Sequence, residues 1–379
     1  MTDHLSASLR DPAISRLILS RLPRSSLCAL CLTCKDIREQ TLPYLYHNLT
    51  LYQPTAAHKA STSIQRNPEL GPYVHYFKLI PSRVTPYASE DTRRLWETVS
   101  LALASMINLE LLYVDDITNS ALHQHQQESF ARIVGEARGV KSLRQLVYYF
   151  QWDAELDPFL EQQSSLCLLH AINVAPSYTP DLAFDAPDSN PWPELVYAEV
   201  MPPLVRRICG APLRTLVIYI RQEREPEDLF MILADVLPRL QGSATLRSLA
   251  LRDLHGHAVA EVLLTVTMTL PKLRYFGVMV LDLSNRSDVH AALMNFQALE
   301  VLEVDCSCFN PYPGHPAQCA LAFEFRTYCP SLCVFVVWIG SVRCVWRHDE
   351  RLSTWCLDTD VHRKNGWDLT GRVQELAVT

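Results

Sequence analysis

A short phrase returns along this chain: leucine, two residues, leucine or phenylalanine, one residue, then an apolar residue. It reads LELLYV from Leu109, LRQLVY from Leu143, LRTLVI from Leu213, LRSLAL from Leu246, LRYFGV from Leu273, LEVLEV from Leu299 and LCVFVV from Leu332. A weaker copy, LCLLHA, starts at Leu166. Successive starts lie 34, 23, 47, 33, 27, 26 and 33 residues apart. Each phrase ends in period-two alternation, the pattern of a strand with one buried face. Several follow a break (GAPL, TLPKL, YCPSL), and helical patterns such as PEDLFMILADVLPRL and HAVAEVLLTVTMTLPKL lie between them. One strand–turn–helix unit cannot bury its own apolar face, so neighbouring units must stack. The expected fold class is α/β, an irregular right-handed solenoid of parallel strands and helices.

At 379 residues the chain has room for such an array and a smaller module besides. The apolar and charged fractions, 48% and 20%, are those of a folded soluble protein. No apolar run approaches the roughly 18 residues of a membrane span, and the first residues show no secretory signal. Twelve cysteines without such a signal fit a reducing compartment, so a cytoplasmic or nuclear location is expected. A net charge of −7 with no basic block argues against general nucleic-acid binding.

The segment before the repeats reads as helical. Asp11 is a candidate N-cap with Pro12 at the first turn, and Ile14, Leu17, Ile18 and Leu22 share one face of a helix over 11–22 that Pro23 ends. A second helix is expected from Leu27 to about Thr41, before Pro43. On it Leu27, Leu30, Cys34 and Ile37 form one stripe, which makes Cys34 a small buried apolar residue. The spacing Cys28, Cys31, Cys34 is no metal site. It has no turn to fold the sulfurs around an ion and no fourth ligand nearby.

Residues 9–50 resemble an F-box, the helical module that docks a protein onto the Skp-family adaptor of cullin–RING ubiquitin ligases. The resemblance rests on the apolar first helix, the Leu22–Pro23 break, Leu27 opening the second helix, Cys34 followed by Lys35, and the exit LPYLYHNLTL. The recurring phrase is likewise similar to that of leucine-rich repeats. Together these resemblances imply a substrate-recognition subunit: an F-box-like module over 9–50, a bridging segment over 51–100, and a leucine-rich-repeat-like solenoid with a C-terminal cap over 101–379. They imply an adaptor-binding set of Pro12, Ile14, Leu17, Ile18, Leu22, Pro23, Leu27, Leu30, Cys34 and Ile37. The partners implied are the Skp-family adaptor and a target protein that the sequence does not name, with no membrane or nucleic acid. The alternative is a leucine-rich-repeat scaffold without ligase association, its N-terminal helices merely capping the array.

In a solenoid of this kind the strand period turns Tyr113, Tyr149, Tyr219, Tyr275 and Trp338 away from the helices, joined by Arg221, Arg252, Glu303 and Asp305. Tyrosines with mixed charges suit a recognition surface, so Tyr149, Tyr219, Arg221, Arg252, Tyr275, Glu303, Asp305 and Trp338 form the expected target-binding face. The alternative is that the aromatics are ordinary strand residues covered by a loop or the terminal cap. The Pro-, Asp- and Ser-rich stretch 173–193 reads as a surface loop, LGPYVHYFKLI as a further strand, and the tail from Cys344 as a hairpin covering the last strand edge. No enzyme is expected. Cys306, Cys308, His315 and Cys319 read as packing residues rather than a metal site. His255–His257 and Asp358–Asp360 read as turns, and no phosphate loop, nucleophile elbow or zinc-protease motif is present. Neither a cofactor nor a metal is called for.

Overall fold

The computed structural model describes residues 12–80, 89–115, 134, 137, 139–150, 152–174, 190–220, 226–241, 243–254, 258–282, 284 and 286–358. Arg221, His255–His257, most of the 173–193 stretch and the chain after Asp358 fall outside them. Two compact units divide the chain, residues 1–213 and 214–379.

The first unit opens with three helices, α1 (Pro12–Leu19), α2 (Arg24–Cys31) and α3 (Lys35–His47). Its strands are β1 (Asn48–Leu51), β2 (Tyr76–Leu79), β3 (Leu111–Val114), β4 (Gln145–Tyr148), β5 (Leu168–Ala171) and β6 (Tyr197–Val200), adjacent in chain order. Each pairs in parallel with the next. Helices α4 (Pro54–Arg66), α5 (Ser89–Leu103), α6 (Asp157–Glu161) and α7 (Pro202–Ile208) and a 3-10 turn (Pro68–Tyr73) are its other described elements. The segment read as a bridge thus carries β2 and pairs on both sides, as β1 and β3 flank it.

The second unit alternates strand and helix: β7 (Thr215–Tyr219), α8 (Pro226–Leu240), β8 (Ser248–Leu254), α9 (Ala258–Thr269), β9 (Tyr275–Val280), α10 (Arg286–Leu293), β10 (Val301–Asp305), α11 (His315–Tyr328) and β11 (Val334–Ile339). Strands β7 to β11 are parallel and sequential. The chain then reverses through antiparallel β12 (Val342–Asp349) and β13 (Thr354–Leu357), the expected hairpin over the last edge. Sequential parallel order is what stacked strand–helix units produce.

All eight phrases are strands, and the leucine that opens each is buried: Leu109, Leu143, Leu166, Leu213, Leu246, Leu273, Leu299 and Leu332. The fourth residue of each phrase, from Leu112 and Leu146 to Phe335, is buried as well. On the helices the matching stripe has the 3.6 period: Val259, Val262, Leu263 and Val266 on α9, and Leu233, Val236, Leu237 and Leu240 on α8. A buried leucine contributes roughly 1.5–3 kcal/mol, so strand and helix stripes together supply the core of each repeat.

The residue after each opening leucine sets the register. The Glu110 carbonyl accepts the N–H groups of Arg144 and Gln145, and that of Arg144 accepts those of Cys167 and Leu168. Arg214 does the same for Arg247 and Ser248, Arg247 for Arg274 and Tyr275, Arg274 for Glu300 and Val301, and Glu300 for Cys333 and Val334. One acceptor holding two successive donors of the next repeat leaves no freedom to slip.

Strand β6 is a repeat that the phrase search passes over. Its phrase, LVYAEV from buried Leu195, has alanine where leucine is the rule, and it divides the 47-residue gap.

The N-terminal helices depart from expectation. The single helix over 27–41 is two, α2 and α3. The Leu32 and Thr33 N–H groups tighten onto Ala29 and Leu30, the Thr33 hydroxyl also bonds the Leu30 carbonyl, and Cys34 turns extended. A threonine that satisfies its own turn competes with helix continuation. Pro43 lies inside α3 without ending it, because Tyr44 and Leu45 beyond it pack on the Leu19–Leu27 core. Among the described residues no helix is long and apolar enough to cross a membrane.

Replacing Phe335, fully buried with its ring centroid 5.3 Å from that of Phe325, tests this core. Phe335→Ala is expected to lower the unfolding free energy by about 3–5 kcal/mol in a urea titration.

Candidate interaction surfaces

Two surfaces matter: the sheet face turned away from the helix-packed side, and the outside of the N-terminal helices. On the sheet face of the first unit the register aligns Tyr113, Val147, His170 and Glu199 across β3 to β6. Tyr149 follows β4; its ring centroid lies 5.8 Å from that of Tyr113 and 4.8 Å from that of His170. His170 Nδ1 is 3.0 Å from Glu199 Oε2, and the Tyr197 hydroxyl donates to that same oxygen at 3.2 Å. His170 and Glu199 are each only 2% exposed. Burial pushes the Tyr149 phenol well above its usual range, and the neighbouring Tyr113 hydroxyl and the Asp115 and Glu199 carboxylates push it the same way. All four residues of β5 and of β6 are buried, as parallel strands covered on both sides require.

In the second unit Arg252 stands over the Tyr219 ring, 5.0 Å from its centroid, on the neighbouring strand. Glu303 is the centre of a second cluster. It accepts from the Tyr275 hydroxyl and from the Trp338 indole N–H, and Arg343 Nε lies 3.5 Å away. A side chain at Gly277 would place its Cβ 2.8 Å from Glu303 Cβ and 2.8 Å from the Tyr275 hydroxyl oxygen, so glycine is what lets Glu303 lie across the sheet. Asp305 accepts from the Ser307 backbone N–H at 2.8 Å and from its hydroxyl, which closes the turn after β10.

The expected target-binding face is therefore only partly a surface. Tyr149, Tyr219, Arg252, Tyr275, Asp305 and Trp338 are half-buried, and Arg221 lies outside the described residues. Glu303 is not available to a partner: it is completely buried and occupied by Tyr275 and Trp338. A carboxylate taken out of water has to be satisfied inside, and these donors satisfy it. The sequence reading missed His170 and Glu199. Glu199 sits in the unrecognised phrase from Leu195, and His170 alternates out of the weak copy from Leu166.

The N-terminal set also divides. Leu27 is buried with Leu19, and Leu22, Leu30 and Ile37 pack half-buried against them with Tyr44 and Leu45. Those residues hold the three helices together. Facing outward are Leu17 (58% exposed), Ile18 (39%) and Leu32 (87%), with Pro23 exposed as well. Leu17 and Ile18 of the expected helix face thus point outward, and among the described side chains of α1 the buried ones are Ser15 and Leu19. Cys34 is exposed, which corrects the packing role expected for it, and Cys28 is exposed as well. A residue in the extended link between two helices belongs to neither stripe. Pro12 and Ile14 belong to α1, with side chains outside the described set.

Cys306 is buried and desolvation pushes its thiol up to about 12, while Cys308 is exposed and donates to the Leu281 carbonyl. Asp358 pairs with Arg347. No three histidine, cysteine, aspartate or glutamate side chains converge as a metal site among the described residues.

The class that this architecture defines is an α/β protein of sequentially stacked strand–helix units behind a short helical segment. The chain matches no family model and no curated protein.

Two outcomes check these environments. Glu303→Ala strands the Tyr275 and Trp338 donors and is expected to cost about 2–4 kcal/mol, with a red-shifted Trp338 emission. With iodoacetamide at pH 8, the exposed Cys28, Cys34 and Cys356 are expected to alkylate first by peptide mass spectrometry. Cys306 is thiolate only on the order of one part in 10⁴ at that pH and should remain unmodified in the folded protein.

Proposed function

We propose that the chain is a substrate-recognition subunit of an SCF-type cullin–RING ubiquitin ligase, with helices α1–α3 docking the Skp-family adaptor and the leucine-rich-repeat-like array presenting a target. The observation that carries this reading is the exposure of Leu17, Ile18 and Leu32 on a helical segment that already has its own small core. Large apolar side chains left outside a satisfied core are what an interface uses. The F-box resemblance of residues 9–50 says which interface. In this reading the chain makes and breaks no bonds. It raises the effective concentration of a target lysine near the charged conjugating enzyme.

The division of the N-terminal residues decides which variants test it. Leu27 and Ile37 belong to the helical core, so changing them would unfold the segment and report nothing about docking. Leu17 and Leu32 are exposed and can be altered without that risk. On co-expression with a Skp-family adaptor, the wild-type chain is expected to co-elute with it in size-exclusion chromatography. The Leu17→Asp, Leu32→Asp double variant is expected to elute alone with an unchanged circular dichroism spectrum. A wild-type chain that stays monomeric beside the adaptor would overturn the reading in favour of a repeat scaffold without a ligase.

A further inference from the structure

The residue after each opening leucine does more than set the register: its side chain leaves the sheet at the leading edge of the strand. At two places in this column charges answer one another on successive rungs. In the first unit His75 Nδ1 lies 2.9 Å from Glu110 Oε1, and Arg144 on the following rung adds a favourable field that lowers the Glu110 carboxyl further. In the second unit Glu300 clamps Arg274 with two hydrogen bonds, 2.8 Å from Nε and 2.7 Å from the terminal nitrogen.

Three successive rungs carry the same charge. Arg214, Arg247 and Arg274 precede β7, β8 and β9, and the shared carbonyls fix them on adjacent rungs. Rungs of a sheet are about 4.8 Å apart, so three guanidinium stems start within roughly 10 Å. All three residues are exposed. Only Arg274 has a carboxylate; among the described residues none pairs with Arg214 or Arg247. Like charges on neighbouring strands disfavour the sheet, and nothing in the packing of these exposed side chains offsets that. The fourth rung shows what would: a carboxylate held by both ends of a guanidinium fork.

We propose that the Arg214–Arg247–Arg274 column is a docking surface for a carboxylate-rich segment of a partner protein. Acidic side chains one turn apart on a helix lie about 5–6 Å from each other, close to the rung spacing, so two of them can meet Arg214 and Arg247 while Glu300 keeps Arg274. The overall charge of −7 repels long polyanions such as nucleic acid, which leaves a short local match as the mode of binding. Within the ligase reading this names the chemistry of the target. It rests on that reading only for its biological role, and its test contains no adaptor.

The probe is a fluorescein-labelled octaglutamate peptide, titrated with the full chain in fluorescence anisotropy at low and at physiological salt. Wild type is expected to bind, more weakly as salt rises, and Arg214→Ala and Arg247→Ala are each expected to weaken binding roughly tenfold. Arg347→Ala, which removes an arginine already paired with Asp358 in the same unit, should change nothing. These are surface positions, and an unchanged circular dichroism spectrum confirms that the variants fold. No binding by wild type at low salt, or equal binding by an Arg214→Glu, Arg247→Glu double variant, would overturn the proposal. Tighter binding of a labelled single-stranded oligonucleotide than of octaglutamate would overturn the assignment to an acidic protein segment.

Discussion

A single carbonyl that accepts two successive N–H groups of the next repeat is the constraint on which the sheets depend. It recurs at Glu110, Arg144 and Cys167 in the first unit and at Arg214, Arg247, Arg274 and Glu300 in the second. Parallel strands have no tight turn to set their register, since long crossovers join them. The doubly bonded carbonyl supplies the missing reference just before each strand begins. Helix length can then vary from repeat to repeat without moving the strands, which is why units of 23 and 34 residues lie in one ladder.

Fixing the register also fixes which polar residues become neighbours. Tyr275, Glu303 and Trp338 come from β9, β10 and β11, and only that alignment lets one carboxylate collect both donors. The same holds for His170 and Glu199 on β5 and β6. Both carboxylates are buried and bonded across strands, Glu303 by Tyr275 and Trp338 and Glu199 by His170 and Tyr197, so their role is to specify strand alignment rather than to meet solvent. Side chains just outside the strands, such as Arg214 and Arg247, stay exposed at the leading edge.

The N-terminal helices illustrate how far a periodic stripe can be trusted. A stripe of apolar residues says that one face is apolar, without saying whether that face meets this chain or another. Leu27, Leu30 and Ile37 proved to be internal, while Leu17, Ile18 and Leu32 lie outside. A helix of eight residues can bury only a narrow strip, and among the described side chains of α1 that strip holds Ser15 and Leu19. The remaining apolar residues are surplus to the fold of this segment.

The repeated phrase by itself determined the eight strands that carry it, their parallel sense and the residues they send into the core, because each copy carries its own alternation and its own opening leucine. The tail's own alternation placed the C-terminal hairpin, because that pattern too is local. What only the tertiary structure decided was the fate of side chains whose neighbours come from other repeats. Nothing local in LEVLEV says that Glu303 is buried beneath Tyr275 and Trp338, and nothing in LRTLVI and LRSLAL says that Arg214 and Arg247 stand side by side. Strand β6 was legible only once its parallel pairing with β5 was known, since alanine replaced the expected leucine. The break at Thr33 and the continuation through Pro43 were likewise decided by what the helices pack against. Local pattern dictates backbone geometry, whereas burial and charge pairing depend on register, and register exists only between segments.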